Sequence, residues 1–404
     1  MGGASRHGSV LTGRTSFHDW GKGEGIIMNS RPKALILDSF YGASTALQVV
    51  QCLAAAGTFE VFVASLRKDS ILRHSRWVKR FYHLEAGEQG AALVEQLKSI
   101  LRGCSMDVVL PVDVDFIDVL LRHGDDELRG LSALPPLPDL ETFRTACNKW
   151  LLSEFLERRD LPHPRTVRFD PADPEVLQRL EQLDPPVITK LAWGGGGVEM
   201  RIFTSRQGLV GHVEQVATPE NPALVQEFIE GYDVGSAVFC RDGEVLYQTI
   251  QKNISPEQHA FRPSKGIQFF HDPGIRQLVG QLMQALKWNG VAQIDLRVDA
   301  KTGRQSILEI NPRFWGSVLG SQKMGLNFPE IACRLALGLS LPPPDYADGR
   351  YITAVGYVHH LRSKLLGRGS SDDFTYAESA FDQILIDPLP RAMQAVQRLK
   401  ARFR

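Results

Sequence analysis

Val291-Ala-Gln-Ile-Asp-Leu-Arg-Val-Asp-Ala-Lys-Thr-Gly-Arg-Gln-Ser-Ile-Leu-Glu-Ile-Asn-Pro-Arg-Phe314 alternates apolar and polar residues, breaks at Ala300-Lys-Thr-Gly303 and then alternates again. That is the pattern of a β-hairpin. Side chains on a strand point to opposite faces with period two. Ile294, Leu296 and Val298 therefore share one face with Leu308 and Ile310 of the return strand. Gln293, Asp295 and Arg297 share the other with Glu309, Asn311 and Arg313. Folding the hairpin about Thr302 sets Asp295 roughly opposite Glu309. Carboxylate and carboxamide oxygens are ligands for a hard cation such as Mg²⁺, and arginine beside them suits phosphate. The remaining chain is then searched for a nucleotide.

The chain has 404 residues, enough for two or three domains, with 43% hydrophobic and 23% charged residues, an ordinary globular balance. Lysine plus arginine equal aspartate plus glutamate at 46 each, so no global field argues for nucleic acid or an anionic membrane. The five cysteines are scattered without a C-x-x-C pair, which fits a reducing, cytoplasmic setting and argues against a disulfide framework or a zinc site. No apolar run reaches the roughly 18 residues of a membrane span. Residues 1–30 read as a disordered leader without a hydrophobic signal core, and Met28 offers an alternative start.

Strands are expected at Pro32–Asp38, Phe59–Ala64 and Met106–Val112, with helices through Leu47, Val50 and Leu53 and over Ala91–Leu101. Strands alternating with helices imply a parallel sheet, and ligands of such sheets sit outside the carboxyl ends of the strands. That directs attention to Asp38–Ser44 and Asp113–Asp115. Ordinary strand-end or helix-cap carboxylates are the alternative for Asp113 and Asp115. The first turn lacks G-x-G-x-x-G, so no dinucleotide site is read there. Leu134-Pro-Pro-Leu-Pro138 is a rigid connector, after which Leu140–Arg158 reads as one helix containing Lys149, by itself an ordinary solvated lysine.

Pro186–Lys190 and Val198–Phe203 read as strands joined by Leu-Ala-Trp-Gly-Gly-Gly-Gly197. Four consecutive glycines exceed what a hairpin turn requires, and their unhindered N–H groups can approach phosphate oxygens. Lys190, just before them, places a cation at the same anion. Ala223–Ile229 is a further strand, stopped at Glu230-Gly-Tyr-Asp233, whose Val225, Phe228 and Ile229 could sandwich a flat base. Strands Gly235–Phe239 and Glu244–Gln251, a polar loop Asn253–Lys265, and an amphipathic helix from Gly274 to Trp288 lead into the hairpin. Arg391–Arg404 is a basic helix without acids, read as a solvated face.

With these features in this order, the chain resembles the ATP-grasp superfamily, and within it the carboxylate–amine ligases similar to carbamoyl-phosphate synthetase large chains. The resemblance runs over roughly residues 32 to 340, and Glu309-Ile-Asn-Pro-Arg313 is its most specific element. It implies an α/β chain, α+β in the ATP-binding part. A leader (1–30) precedes a pre-ATP-grasp domain with a parallel sheet (31–138) and a two-subdomain ATP-grasp fold (139–340). The flap-bearing subdomain lies near 165–230, the metal-binding one near 231–340, and a helical C-terminal extension covers 341–404. It also implies roles. Lys149 and Lys190 would hold the α- and β-phosphates of ATP. Gly194, Gly195, Gly196 and Gly197 would close over the β- and γ-phosphates. Gln226, Glu227, Phe228 and Ile229 would line adenine, with Glu227 and Ile229 meeting it through their backbones, and Asp233 would take the ribose. Asp295, Glu309 and Asn311 would hold two Mg²⁺ ions, for which Mn²⁺ could substitute, and Arg313 would stabilise the transferred phosphoryl group. Arg297, Trp315, Gly316 and Ser317 are candidates for gripping the acid substrate. The glycine flap is compact, and Asp stands where Glu is common at the ribose position. The implied activity is an ATP-dependent carboxylate–amine ligase in the cytoplasm acting through an acyl phosphate. Its partners would be a small carboxylic acid and an amine, without nucleic acid or membrane, in a chain that could form a homodimer. The alternatives are a nucleotide-binding regulatory module, bicarbonate activation or acyl transfer to a thiol.

Overall fold

The structure is a computed structural model and describes residues 30–40, 43–85, 90–124, 126–195, 200–254, 266–367 and 373–402. It opens with a parallel sheet. Strands β1 (Lys33–Asp38), β2 (Glu60–Ser65), β3 (Val78–His83) and β4 (Val108–Pro111) lie in the order β3-β2-β1-β4. Helix α1 (Ala43–Ala56) sets Ala46, Leu47 and Val50 into the core with Ile36 and Val63, and α2 (Gly90–Cys104) sets Leu93, Leu97 and Leu101 against Leu35 and Leu37. The first strands are apolar because both faces are covered. Edge strand β3, Val-Lys-Arg-Phe-Tyr-His, is half-exposed and charged, so no apolar run announces it. Helices α3 (Val114–His123) and α4 (Asp126–Leu131) follow. Asp113 caps α3, accepting from Phe116 N at 3.3 Å and from Ser39 N at 2.9 Å. The cap reading of that residue is the one the geometry supports.

The proline connector then presses on Gly290, where an added Cβ would lie 2.4 Å from Pro136 O and where φ is +87°, so only glycine fits. The expected helix 140–158 is two helices. Helix α5 (Leu140–Cys147) ends at Asn148, whose side chain accepts from Trp150 N and Leu151 N to start α6 (Lys149–Arg158). Asparagine competes for backbone hydrogen bonds and favours caps, a local signal that the apolar periodicity hides.

A small subdomain follows, with β5 (Thr166–Arg168), α7 (Val176–Glu181), β6 (Val187–Leu191), β7 (Arg201–Phe203), α8 (Leu209–Val216) and β8 (Ala223–Glu227). Its four strands run β5-β8-β6-β7 over a core that includes Val187, Phe203, Val213 and Val225. The six-stranded sheet comes next: β9 (Gly231–Arg241), β10 (Glu244–Asn253), β11 (Gly266–Phe269), α9 (Pro273–Leu286), β12 (Gly290–Asp299) and β13 (Gln305–Asn311). Helix α9 buries Ile275, Leu278, Leu282 and Leu286 against the apolar face of β12, each such side chain contributing about 1.5–3 kcal/mol. Asp295 does pair with Glu309, but the register slips next to it, and Leu296 pairs with Ile307. Leu308 is thus the extra residue of a β-bulge, and Ile307, not Leu308, joins Ile310 in the core. Bulges re-aim side chains beside active sites, and period two cannot foresee them.

Beyond the hairpin lie α10 (Val318–Lys323), α11 (Phe328–Ala336), β14 (Gly349–Ile352), α12 (Ala354–Leu365), α13 (Phe381–Ile386) and α14 (Pro388–Arg402). Strand β14 pairs with β11 and closes the sheet in the order β13-β12-β9-β10-β11-β14, so the stretch after residue 340 supplies an edge strand as well as helices. The chain then returns to the first domain, where Asp387 accepts from Ser75 Oγ at 2.5 Å and Arg76 N at 3.1 Å. Among the described residues no helix is long and apolar enough to cross a membrane.

Candidate active site

The polar face of the β12–β13 hairpin gathers the predicted cation ligands. Asn311 Nδ2 donates to Asp295 Oδ2 at 3.0 Å and to Glu309 Oε1 at 3.3 Å, while Arg313 Nη2 donates to Asn311 Oδ1 at 3.1 Å. Burial, then the charge of Glu309, holds the Asp295 carboxyl well above the usual carboxylate range. Burial also works against the charge of Glu309, but Lys149 and Lys190 outweigh it and its pKa is lowered. Glu309 is therefore the more acidic member of the pair and Asp295 the less acidic one. The donor at the centre of this arrangement is the Asn311 amide, a positive dipole lying between two carboxylates. Rotating it would present a third oxygen, and three oxygen donors around one point fit a hard divalent cation. Among the described residues no group of three or more His, Cys, Asp or Glu is arranged to hold a metal ion.

Two lysines face this centre. The break at Asn148 puts Lys149 at the first position of α6, with its N–H bonded to Ala192 O at 2.9 Å. Its Nζ reaches Glu309 Oε2 at 3.3 Å and Gly194 O at 2.5 Å. The solvated lysine of the bare sequence is thus a side chain only 10% exposed that spans the two subdomains. Lys190 comes from β6 and is 6% exposed. Desolvation lowers its pKa to about 8, with Glu309 working in the opposite direction.

The glycine segment starts from a fixed base. Trp193 N donates to Asn221 Oδ1 at 2.8 Å, and Asn221 Nδ2 returns a bond to Trp193 O at 3.1 Å. Gly194 has φ +121°, a conformation that L side chains rarely adopt. A Cβ on Gly195 would meet nothing within 4 Å. Gly196 and Gly197 lie outside the described residues.

The predicted base-binding strand already has part of its backbone paired. Gln226 is buried and donates to Thr166 Oγ1 at 2.7 Å. Glu227 N and Phe228 N are already bonded, to Arg165 O at 2.9 Å and Pro186 O at 3.1 Å. Ile229 O accepts from Arg297 Nε at 2.9 Å, the same guanidinium binds Asp233 Oδ1 at 2.8 Å, and it lies 5.5 Å from the Phe228 ring. Arg297, a candidate for the acid substrate, instead clamps the linker between the subdomains, because Asp233 is its direct partner across β9 and β12. Asp233 retains a half-exposed carboxylate.

Trp315 is fully buried, edge-on to Phe328 at 4.9 Å, and is a core plug rather than a substrate wall. Gly316 is exposed, and its carbonyl accepts from Gln48 Nε2 at 2.7 Å. Ser317 Oγ exchanges hydrogen bonds with Gln251 at 2.9 and 3.0 Å. Sequence reasoning missed Gln48 and Gln251. Gln48 lies in a largely apolar stretch of α1, a buried polar residue demanding a partner, and that was the available signal there; Gln251 stands among Gln248, Thr249, Lys252 and Asn253, where no such signal exists.

Fold and site together bring two sheets to meet over paired lysines and carboxylates. Residues 146–317 match the family model described as ATP-grasp domain. The carbamoyl phosphate synthase large chain of Methanothermobacter thermautotrophicus is 24% identical over 264 residues, which cover 61% of this chain and 24% of that one. The chain thus spans about a quarter of the curated relatives it matches. Two solved structures share the fold. The L-amino acid ligase from Bacillus licheniformis has a TM-score of 0.58 at 18% identity, covering 76% of this chain and 75% of that one. N5-carboxyaminoimidazole synthetase from Staphylococcus aureus has a TM-score of 0.62 at 13% identity, covering 85% of this chain and 90% of that one.

Proposed function

We propose that the chain is an ATP-dependent carboxylate–amine ligase that forms an amide through an acyl phosphate and releases ADP and phosphate. The observation that carries this reading is the placement of one carboxylate, Glu309, against two lysines, Lys149 at the start of α6 and Lys190 of the small subdomain, beside Asp295, Asn311 and Arg313. A nucleotide-binding regulator would not need the whole set. Asp295, Glu309 and Asn311 are the residues that would hold two Mg²⁺ ions, which when bound neutralise phosphate oxygens.

On this reading a carboxylate oxygen of the acid attacks the γ-phosphorus, and the bond from that phosphorus to the bridging oxygen breaks with ADP leaving. Such a transfer needs positioning and charge neutralisation more than covalent help. Lys149 and Lys190 supply fixed cations to the phosphates, Arg313 supplies one to the transferred group, and the glycine segment excludes water. The amine then attacks the acyl carbon, phosphate departs, and a proton is lost from nitrogen. The partners are a small carboxylic acid and an amine, in a cytoplasmic setting. The test is ADP release from MgATP with pooled acids and amines, amino acids included. Release that requires both an acid and an amine is expected. Release that depends on neither, or on bicarbonate alone, overturns the ligase reading.

A further inference from the structure

One rung of the six-stranded sheet runs Glu309, Asp295, Gly235, Gln251 across β13, β12, β9 and β10. Residues directly opposite one another in an antiparallel pair share a face. Glu309 and its two lysines lie on one side of Asp295, and Gly235 lies on the other. The neighbouring rung of Ala237 and Thr249 is buried, with Thr249 Oγ1 3.2 Å from Ser321 Oγ of α10. Gly235 itself is only half-buried, so the sheet stays open above it.

Two carboxamides converge on this opening. A Cβ added at Gly235 would meet Gln293 Nε2 at 3.0 Å and Gln251 Nε2 at 3.4 Å. Two nitrogens that close to one point can both reach a single acceptor placed between them. Gln251 exchanges hydrogen bonds with Ser317 Oγ, which fixes its amide and uses one of its two N–H groups. The side chain of Gln293, half-buried and directly across from Asn311, has no hydrogen-bond partner among the described residues. Polar groups in such places are normally paired, so these N–H groups are the ones a ligand can use.

The ligation proposed above needs an acid whose carboxylate stands beside the transferred phosphoryl group and the cation ligands. On that reading the lysine side of Asp295 belongs to the phosphates, which leaves the Gly235 side for the acid. Asp295, the acid beside this opening, is bonded to Asn311 at 3.0 Å and on the same reading is taken by a cation. Carboxamide N–H groups orient a carboxylate without neutralising it, so the attacking oxygen keeps its charge. We propose, resting on the ligase reading, that Gln293 and Gln251 seat the carboxylate of the acid substrate over Gly235.

The test titrates the pooled acids of the ligase assay against the full chain at saturating MgATP and amine, and reads the half-saturating concentration of the acid pool. Gln293→Met and Gln251→Met keep the bulk of each side chain and remove its donors. Each should raise that concentration roughly tenfold or more, the worth of one hydrogen bond to a charged group. The half-saturating concentrations of MgATP and of the amine pool should change by less than about twofold. Gly235→Ala should give the same signature, because its methyl crowds the Gln293 amide, and Gly235 lacks the positive φ that disfavours alanine. This variant serves if a methionine variant fails to fold by circular dichroism. An unaltered half-saturating acid concentration, whatever the maximal rate, overturns the seat and leaves the ligase reading standing. So does a rise confined to MgATP or to the amine. ADP release by the wild-type chain without any acid overturns the ligase reading itself, and the seat with it.

Discussion

Lys149 Nζ lies 3.3 Å from Glu309 Oε2, a contact between the first residue of a helix and the second strand of a distant hairpin. Lys190 acts on the same carboxylate from β6. Glu309 therefore joins Asp295 and Asn311 to the two lysines. Replacing it with the isosteric amide removes the charge and keeps the shape. Glu309→Gln is expected to leave the circular dichroism spectrum unchanged and to reduce acid- and amine-dependent ADP release by roughly 10²-fold or more. Near-wild-type turnover would show that the metal centre lies elsewhere.

Lys190 sets a pH limit. Its pKa is lowered from 10.5 to about 8, first by desolvation. The cationic form that attracts phosphate is present below about 8 and lost above it. kcat/KM for MgATP, which reports the free enzyme, should fall as pH rises through that value. Bound phosphates favour the protonated form, so kcat should hold to higher pH. Stability moves in the opposite direction. Between about 8 and 10.5 the unfolded chain binds more protons than the folded one, so stability against denaturant rises with pH across that window. Lys190→Met should remove this rise, which urea titrations at several pH values would measure.

Legibility followed from how local each signal was. The hairpin could be read because alternation and a Thr-Gly turn lie within a single stretch, and its Asp295–Glu309 pairing follows from counting. The bulge at Leu308 could not, since period two carries no mark of an inserted residue. Asn148 broke a helix whose apolar spacing ran straight through it. Strands β3 and β14 have no alternating or wholly apolar run, and they become strands because a neighbouring edge offers unpaired backbone. Arg297 shows the limit for site residues. It shares a face with Asp295, but its partner Asp233 lies on β9, and only the strand order β13-β12-β9 puts them side by side.

That placement yields a prediction about Arg297. With its bonds to Ile229 O and Asp233 and its contact with Phe228, it stiffens the linker that would border the nucleotide. Arg297→Ala should raise KM for ATP by roughly tenfold, the worth of one or two hydrogen bonds. KM for the acid substrate should barely move. A variant whose defect appears in KM for the acid while ATP is unaffected would return Arg297 to the substrate side.

Gln48 ties the parallel-sheet domain to the end of the hairpin. Its Nε2 donates to Gly316 O at 2.7 Å and its Oε1 accepts from Leu319 N at 3.3 Å, with the side chain 6% exposed. Truncation leaves two backbone groups without a partner. Water can reach the exposed Gly316 carbonyl, but Leu319 is buried and its N–H would be orphaned. Gln48→Ala should therefore cost about 1–3 kcal/mol in chemical denaturation. Gly316 lies three residues after Arg313 on the turn leaving the site, so loosening it should also lower kcat. Gln48→Glu restores the acceptor for Leu319 N and removes the donor to Gly316 O, so it separates the two contributions. Most of the stability should return in that variant if the Leu319 bond dominates, and little of it if the Gly316 bond does.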